Sequence, residues 1–227
     1  MNFLIIRATE QNHRAMKILI INPNSDPDMT RRIQESAEGF AAGEYEVECR
    51  RIAEAPKFIE SYQDQAQAAP GMIALVRECE AEWDAFIVAC HCDPNLDVLK
   101  EITAKPVVGI GEASMKLAAM LGHRFSVVST DRHSIPVKEA LARKYHLEGL
   151  LASVQAPSPG MESVCEEDRY LAAARNAVDE DGAEVIVLGC AGMTGLDKWM
   201  QRELGVPVLD GVICALIFAA GLIRIRS

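Results

Sequence analysis

AFIVAC (85–90) and VIVLGC (185–190) decide how this chain is interpreted, because each is a short apolar run that ends on a cysteine and opens into a polar, turn-like loop. A short, continuous apolar run is typical of a strand that is buried on both faces. We therefore predict two matched buried strands with a thiol at the mouth of each. A thiol repeated in this way indicates a paired acid/base site.

The similarity extends beyond the two cysteine runs. KILIIN (17–22) is similar to FSVVST (125–130), because both are strands that stop on a small polar residue, and PVVGIGEA (106–113) is similar to PVLDGVICA (207–215). In all three pairs the second segment begins about 100 residues after the first, which indicates a duplicated unit. The chain is therefore predicted to consist of two similar halves.

Strand patterns alternate with helical patterns along both halves, which predicts an α/β fold with a mostly parallel sheet in each half and helices on both faces. We expect a first subdomain at 16–113, a second at 114–210 and a C-terminal helix at 211–227. Residues 1–15 are expected to be an N-terminal extension outside the core. In such sheets, ligands gather outside the carboxyl ends of the strands.

The charge and hydropathy of the chain argue against several classes of partner. The chain has 227 residues and a formal net charge of −10, and its basic residues occur only singly or in short pairs. This disfavours nucleic acids and anionic membranes as partners, since both require clustered cations. No apolar stretch reaches the roughly 20 residues that span a bilayer, and the first residues make a poor signal peptide. We therefore expect a cytoplasmic protein with a small-molecule substrate, as a monomer or a homo-oligomer.

The seven cysteines lack the regular spacing of a disulfide framework, so we expect free thiols. Cys90, His91, Cys92 and Asp93 invite a metal interpretation, but adjacent residues do not easily converge on one ion, and we predict no metal. His91 is instead expected to shape the pocket, and Cys92 to be a small or redox-sensitive neighbour. Packing roles are expected for the cysteines at 49, 79, 165 and 214.

Small polar residues at the ends of the predicted strands are candidates for substrate contact. Asn22 and Asn24 follow the first strand and Thr130 ends the strand at 125–130. Asn24 could also cap a turn, and Thr130 could simply end its strand. After the second cysteine, Ala191 and Gly192 begin a turn whose backbone N–H groups could bind negative charge. Gly192 would let the backbone approach a ligand closely.

The chemistry of two facing thiols follows from their ionisation. Inverting a carbon centre by proton transfer requires a base on one face and an acid on the other. Free cysteine titrates near pH 8.5, so that modest tuning lets either partner hold or release a proton near neutrality. GIGEAS (109–114) resembles part of a dinucleotide fingerprint, but it lacks the third glycine and we expect it to be a turn into a helix.

Six segments in order resemble the aspartate/glutamate racemase superfamily, and within it the hydantoin racemase family that includes allantoin racemases. They are INPNS (21–25), VACHCDPNLD (88–97), PVVGIGEASM (106–115), FSVVST (125–130), VLGCAGMT (187–194) and VPVLDGV (206–212). The resemblance implies two pseudo-symmetric subdomains with the active site in the cleft between them, no cofactor, no metal, and Cys90 and Cys190 as the catalytic pair. Hydantoin racemases commonly have CFGDP where this chain has CHCDP (90–94), which leaves the substrate open.

Three alternatives remain at this point. One is a racemase of aspartate or glutamate. Free amino-acid racemases of the superfamily typically have a Thr-His pair after the second cysteine, whereas this chain has Ala191-Gly192-Met193, and by this resemblance a neutral ring is favoured over a charged amino acid. Another is a cysteine hydrolase with Cys190 as nucleophile and His91 as base, which leaves the other thiol without a role. The third is a non-catalytic small-molecule-binding protein built on the same two-lobed cleft.

Overall fold

The structure is a computed structural model that describes residues 15–226. The predicted extension at 1–15 therefore lies outside the described residues except for Ala15. Within the described range, no helix is both long and apolar enough to cross a membrane.

In the described part of the first half, a four-stranded parallel sheet consists of buried apolar runs, apart from the charged and partly exposed strand Glu46–Arg51. The side chains of Ala85 to Val88 are all buried, which explains why this strand reads as a continuous apolar segment. The order is β2-β1-β3-β4, with strands β1 (Lys17–Asn22), β2 (Glu46–Arg51), β3 (Ala85–Val88) and β4 (Val107–Gly109).

The first two helices of the first half begin at clear capping signals. Asp26 accepts hydrogen bonds from the backbone N–H groups of Asp28 and Met29, and Ser61 and Asp64 form a capping box. This capping box sets the start of the second helix, and Pro70 is accommodated inside it. The helices of this half are α1 (Pro27–Ala41), α2 (Tyr62–Cys79) and α3 (Leu96–Ile102).

The second half repeats the arrangement, with the order β6-β5-β7-β8 and all pairs parallel. Because the strand order and sense match those of the first sheet, the predicted pseudo-symmetric α/β fold is confirmed. Its strands are β5 (Phe125–Val128), β6 (Leu151–Gln155), β7 (Val185–Leu188) and β8 (Val208–Leu209), and its helices are α5 (Ile135–Lys144), α6 (Glu166–Asp179) and α7 (Asp197–Leu204).

Two helices connect the halves. Helix α4 (Ile110–Leu121) follows the first sheet, yet Met115 and Ala118 pack in the core of the second sheet. Helix α8 (Gly211–Arg226) follows the second sheet, yet its buried face packs against β1, β3 and α4. The predicted boundary at 113/114 falls inside α4, so each half supplies a helix to the core of the other.

Candidate active site

Cys90 and Cys190 lie at equivalent positions just beyond the central strands β3 and β7. The residue before each cysteine makes the last sheet hydrogen bond: Ala89 N donates to Ile21 O at 2.9 Å and Gly189 N donates to Val128 O at 2.7 Å. The chain then turns, so the strands end two residues earlier than the predicted apolar runs. The matched backbone geometry places both thiols at the carboxyl edges of their sheets, where α/β folds bind ligands.

The two thiols share one cleft between the halves, which we call the thiol cleft. It consists of two adjoining cavities of about 440 and 400 Å³, and Cys90 and Cys190 line both. Both cysteines are partly buried and free. The structure thus brings the predicted pair together, whereas Cys92 lines only the larger of these two cavities.

A neighbouring thiol and a cation act on Cys90. The Sγ atoms of Cys90 and Cys92 lie 3.3 Å apart, within hydrogen-bond distance. This contact lowers the pKa of Cys90 below its ordinary value, against the opposing effect of burial, and the Lys138 ammonium lowers it further. The same contact and burial raise the pKa of Cys92 well above its ordinary value. Of this pair, Cys90 is therefore the thiol that ionises first.

Burial dominates at Cys190 and raises its pKa. The backbone N–H of Gly192 donates to Cys190 Sγ at 3.3 Å and opposes this rise. The donor comes from a short 3₁₀ helix at Ala191–Met193. Gly189 directly precedes Cys190. A Cβ on Gly189 would lie 2.5 Å from Val128 O, so glycine is needed there for the close approach of the backbone to β5.

Most of the predicted binding residues line the thiol cleft, but Asn22 does not. Asn24, Thr130, Ala191 and Gly192 line the smaller cavity. The fully buried Asn22 donates instead to Asn24 Oδ1 at 2.8 Å and to Thr30 Oγ1 at 3.0 Å. Its amide holds the loop that carries Asn24 rather than facing the cavity.

His91 borders the larger cavity, but its ring packs inwards. Its Nε2 lies 3.3 Å from Ser114 Oγ, and within residues 15–226 its buried Nδ1 has no hydrogen-bond partner. Burial, reinforced by the Lys138 charge, keeps the pKa of His91 well below its ordinary value, so the imidazole is neutral. No hydrogen bond joins His91 to Cys190 among the described residues, so the geometry lends no support to the hydrolase interpretation.

Charged residues of the thiol cleft were missed by the sequence analysis. Lys138 lies in the larger cavity, and Arg32 with the acidic residues Asp26 and Glu166 lies in the smaller one, while Glu60 and Asp131 border both. These residues sit on helices and loops with ordinary surface patterns. Of these residues, only Lys138 could have been suspected from the sequence, since it is a cation next to the apolar Val137 in an amphipathic helix.

GIGEAS surrounds a buried carboxylate rather than a nucleotide. Asp93 accepts hydrogen bonds from Gly111 N at 2.9 Å, Glu112 N at 2.6 Å and Tyr145 Oη at 2.6 Å. The start of helix α4 therefore binds an internal anion. Burial raises the pKa of Asp93 to about 6, although the three donors favour its charged form. This contact fastens the loop after Cys90 to both halves.

The metal interpretation finds no geometric support in the described part of the chain. Between residues 15 and 226, no three His, Cys, Asp or Glu side chains are arranged to hold an ion. Cys90 and Cys92 face each other instead.

Comparisons with known proteins agree with this geometry. A sequence model of the Asp/Glu/Hydantoin racemase family matches residues 18–219. A protein named hydantoin racemase from Pseudomonas sp. (strain NS671) is 38% identical over 216 residues, covering 90% of this chain and 84% of that protein.

Two solved structures are similar over most of their length. An allantoin racemase from Klebsiella pneumoniae has a TM-score of 0.87 at 32% identity, covering 93% of this chain and 89% of its own. An allantoin racemase from Pseudomonas fluorescens also has a TM-score of 0.87, at 33% identity, and the match covers 93% of this chain and 92% of that protein. With this match of sequence and of fold, the chain belongs to the Asp/Glu/hydantoin racemase family and is a racemase.

Proposed function

We propose that this racemase inverts the C5 stereocentre of a 5-substituted hydantoin or of allantoin by two-base proton transfer, without a cofactor. The observation that carries the proposal is the placement of Cys90 and Cys190. They follow equivalent strands of two pseudo-symmetric sheets and line both cavities of one cleft. A substrate bound between them would present one face to each sulfur.

The reaction balances with these two groups alone. The Cys90 thiolate takes the proton from C5 and becomes a thiol, and the Cys190 thiol gives its proton to the opposite face and becomes a thiolate. The other enantiomer is converted by the reverse transfers. After each turnover the protonation of the pair is inverted, and exchange with water or turnover of the opposite enantiomer restores it.

The cleft also supplies donors for the charge that develops on the substrate. Loss of the C5 proton spreads negative charge onto the adjacent ring carbonyl as an enolate, which needs hydrogen-bond donors fixed in advance. Asn24 and Thr130 line the smaller cavity from opposite halves. We assign the amide of Asn24 and the hydroxyl of Thr130 to the ring carbonyl and ring N–H groups.

The charges near Cys190 favour a neutral ring over aspartate or glutamate. In the smaller cavity, Asp26, Glu60, Asp131 and Glu166 outnumber the single cation Arg32. An amino acid with two carboxylates would meet net repulsion there, whereas a hydantoin presents amide groups. The names of the relatives, hydantoin racemase and allantoin racemase, support the same substrate class.

The cysteines also bear on the compartment. All seven are free, including one that is fully exposed to solvent at position 165. A thiol mechanism requires that the catalytic pair stay reduced, so we infer a cytoplasmic location.

The proposal is tested by incubating single enantiomers in D₂O. The panel contains 5-substituted hydantoins, allantoin, aspartate and glutamate, and both optical rotation and deuterium incorporation are followed. We expect loss of rotation together with deuterium at C5 for at least one hydantoin or for allantoin. Turnover of only the amino acids would contradict the substrate assignment, and no turnover of any compound would contradict the racemase mechanism.

A further inference from the structure

Lys138 is a buried cation inside the thiol cleft. It lies on helix α5 with only 6% of its surface exposed, and it lines the larger cavity. No carboxylate of residues 15–226 lies within ion-pair distance of its Nζ, whereas Lys144 on the same helix pairs with Asp97 at the surface. Burial of an ammonium without a counter-ion is unfavourable, so a neighbouring anion would stabilise Lys138.

Cys90 is placed to be that anion. It borders the same cavity as Lys138, and the Cys92 thiol lies 3.3 Å from it, at the right distance to donate a hydrogen bond to a thiolate. Among residues 15–226, Cys190 has no thiol neighbour of this kind; the backbone N–H of Gly192 donates to it, and Lys138 and Arg32 also favour its thiolate, but burial outweighs them. The two catalytic sulfurs thus occupy equivalent positions in unequal surroundings.

Other charges face the pair from every side of the cleft. His91 is neutral, whereas the carboxylate of Asp93, which accepts three hydrogen bonds, raises the pKa of Cys90. The remaining titratable and charged groups that line the two cavities are Asp26, Arg32, Glu60, Asp131, His133, Glu166 and Tyr170. Since most of these are acidic and oppose a thiolate, a buried cation and a directed donor are needed to retain one at Cys90.

We propose that Lys138 and Cys92 are positioning residues that hold Cys90 as the resting thiolate, while Cys190 rests as the thiol. The racemase is then asymmetric between turnovers, and the free enzyme is ready for the enantiomer whose C5 proton faces Cys90. The preference of the free enzyme for one enantiomer rests on the proposed function. The ionisation itself is a property of the free protein and needs no substrate.

Steady-state kinetics alone would not reveal this asymmetry. Two enantiomers have equal free energies in solution, so kcat/KM is the same in both directions at every pH. The reactivity of each sulfur must therefore be measured separately. Alkylation by iodoacetamide suits this purpose because only the thiolate reacts at an appreciable rate.

The experiment alkylates the reduced, full-length protein briefly across a pH series under anaerobic conditions and quantifies each cysteine by tandem mass spectrometry. In the unmodified sequence, the midpoint pH for Cys90 should lie below that for Cys190. Lys138→Met should raise the Cys90 midpoint by about one pH unit, because an opposite charge nearby is lost. Lys138→Arg should largely retain the original midpoint, and Lys144→Met, on the same helix, is the matched control.

Cys92 is tested in the same way. Cys92→Ala removes the donor and should raise the Cys90 midpoint, whereas Cys92→Ser keeps a hydroxyl donor and should restore part of the effect. Circular dichroism confirms that each variant is folded. The comparison of Cys90 with Cys190 in the unmodified protein does not depend on any variant.

Coinciding midpoints for Cys90 and Cys190 would overturn the proposal. An unchanged Cys90 midpoint in Lys138→Met or Cys92→Ala would remove that residue from it. Separate midpoints that respond to both substitutions, in a protein that racemises nothing in the D₂O panel, would refute the proposed function and leave this inference intact.

Discussion

Cys90 and Cys190 show how one residue type acquires two behaviours at equivalent positions. A neighbouring thiol lowers the pKa of Cys90, whereas burial raises the pKa of Cys190. In the proposed mechanism one sulfur begins each turnover as a base and the other as an acid, and this pKa difference favours Cys90 as the base in the free enzyme. The backbone is nearly symmetric, so the difference comes from the side chains that surround each thiol.

Replacing either sulfur should therefore separate the two half-reactions. We expect Cys90→Ser and Cys190→Ser each to lower the racemisation rate by about 10²–10⁴-fold, the usual contribution of a general acid or base. Each variant should retain C5 exchange in D₂O for one enantiomer only, and the retained enantiomers should be opposite. Cys165→Ser, at an exposed thiol outside the cleft, is the control. An unchanged rate in either cleft variant would exclude that cysteine from the mechanism.

Asp93 should make the stability of the fold depend on pH. Burial raises its pKa from 3.8 to about 6, so the folded state holds its proton more tightly than the unfolded state does. Stability from this group is thus greatest below pH 3.8 and is lost as the pH rises to about 6. Relative to Asp93→Asn, the free energy of unfolding should fall by roughly 2 kcal/mol between pH 4.5 and 7. Urea titrations of both proteins at several pH values measure this difference, and parallel curves would contradict it.

At the scale of elements, the turn after Cys90 is held by the helix that begins beside it. The carboxylate of Asp93 occupies the N-terminus of α4 and reaches Tyr145 beyond α5. In the second half, the carboxylate that holds the loop after Cys190 comes from further along the chain. Asp210 accepts hydrogen bonds from Thr194 Oγ1 at 2.5 Å and from Gly195 N at 3.0 Å. In both halves a buried acid fixes the loop that carries the thiol.

The tight fit at α4 predicts opposite effects for two glycine substitutions in helices. A Cβ at Gly111 would lie 2.8 Å from Asp93 Oδ2 and 2.9 Å from His91 O, whereas a Cβ at Gly39 in α1 would meet nothing within 4 Å. We expect Gly111→Ala to cost about 1–3 kcal/mol of stability and to slow racemisation.

Gly39→Ala should be neutral or stabilising by up to about 1 kcal/mol, because alanine is the better helix former. Chemical denaturation of both variants, with racemisation measured in parallel, provides the comparison. Equal stabilities of the two variants would show that the loop adjusts without cost.

At the scale of the whole molecule, the halves are joined by the exchange of helices. Val212, Ala215 and Ala219 of α8 pack in the core of the first sheet, and Met115 and Ala118 of α4 pack in that of the second. Neither sheet can expose its core without disturbing a helix that belongs to the other half.

This exchange predicts that the two halves unfold together. The chain has two tryptophans, with Trp83 in the core of the first half and Trp199 packed against the core of the second. Trp83→Phe and Trp199→Phe each leave one fluorescent reporter, in opposite halves. We expect both variants to show a single urea transition that coincides with loss of circular dichroism. Two separate transitions would indicate independent halves.

Local patterns in the sequence were enough to predict the strands, most helices, the duplication and the two thiols. A buried strand and the residue that follows it depend on neighbours within a few positions, and the order of strands and helices limits the topology. The surroundings of the thiols were decided only by tertiary structure. Lys138 lies on a helix of the second half and lines the cavity that Cys90 of the first half also lines. Tyr145 donates a hydrogen bond to Asp93, which is 52 residues away in the sequence. Such contacts depend on how distant elements pack, and they influence which of the two sulfurs ionises more readily.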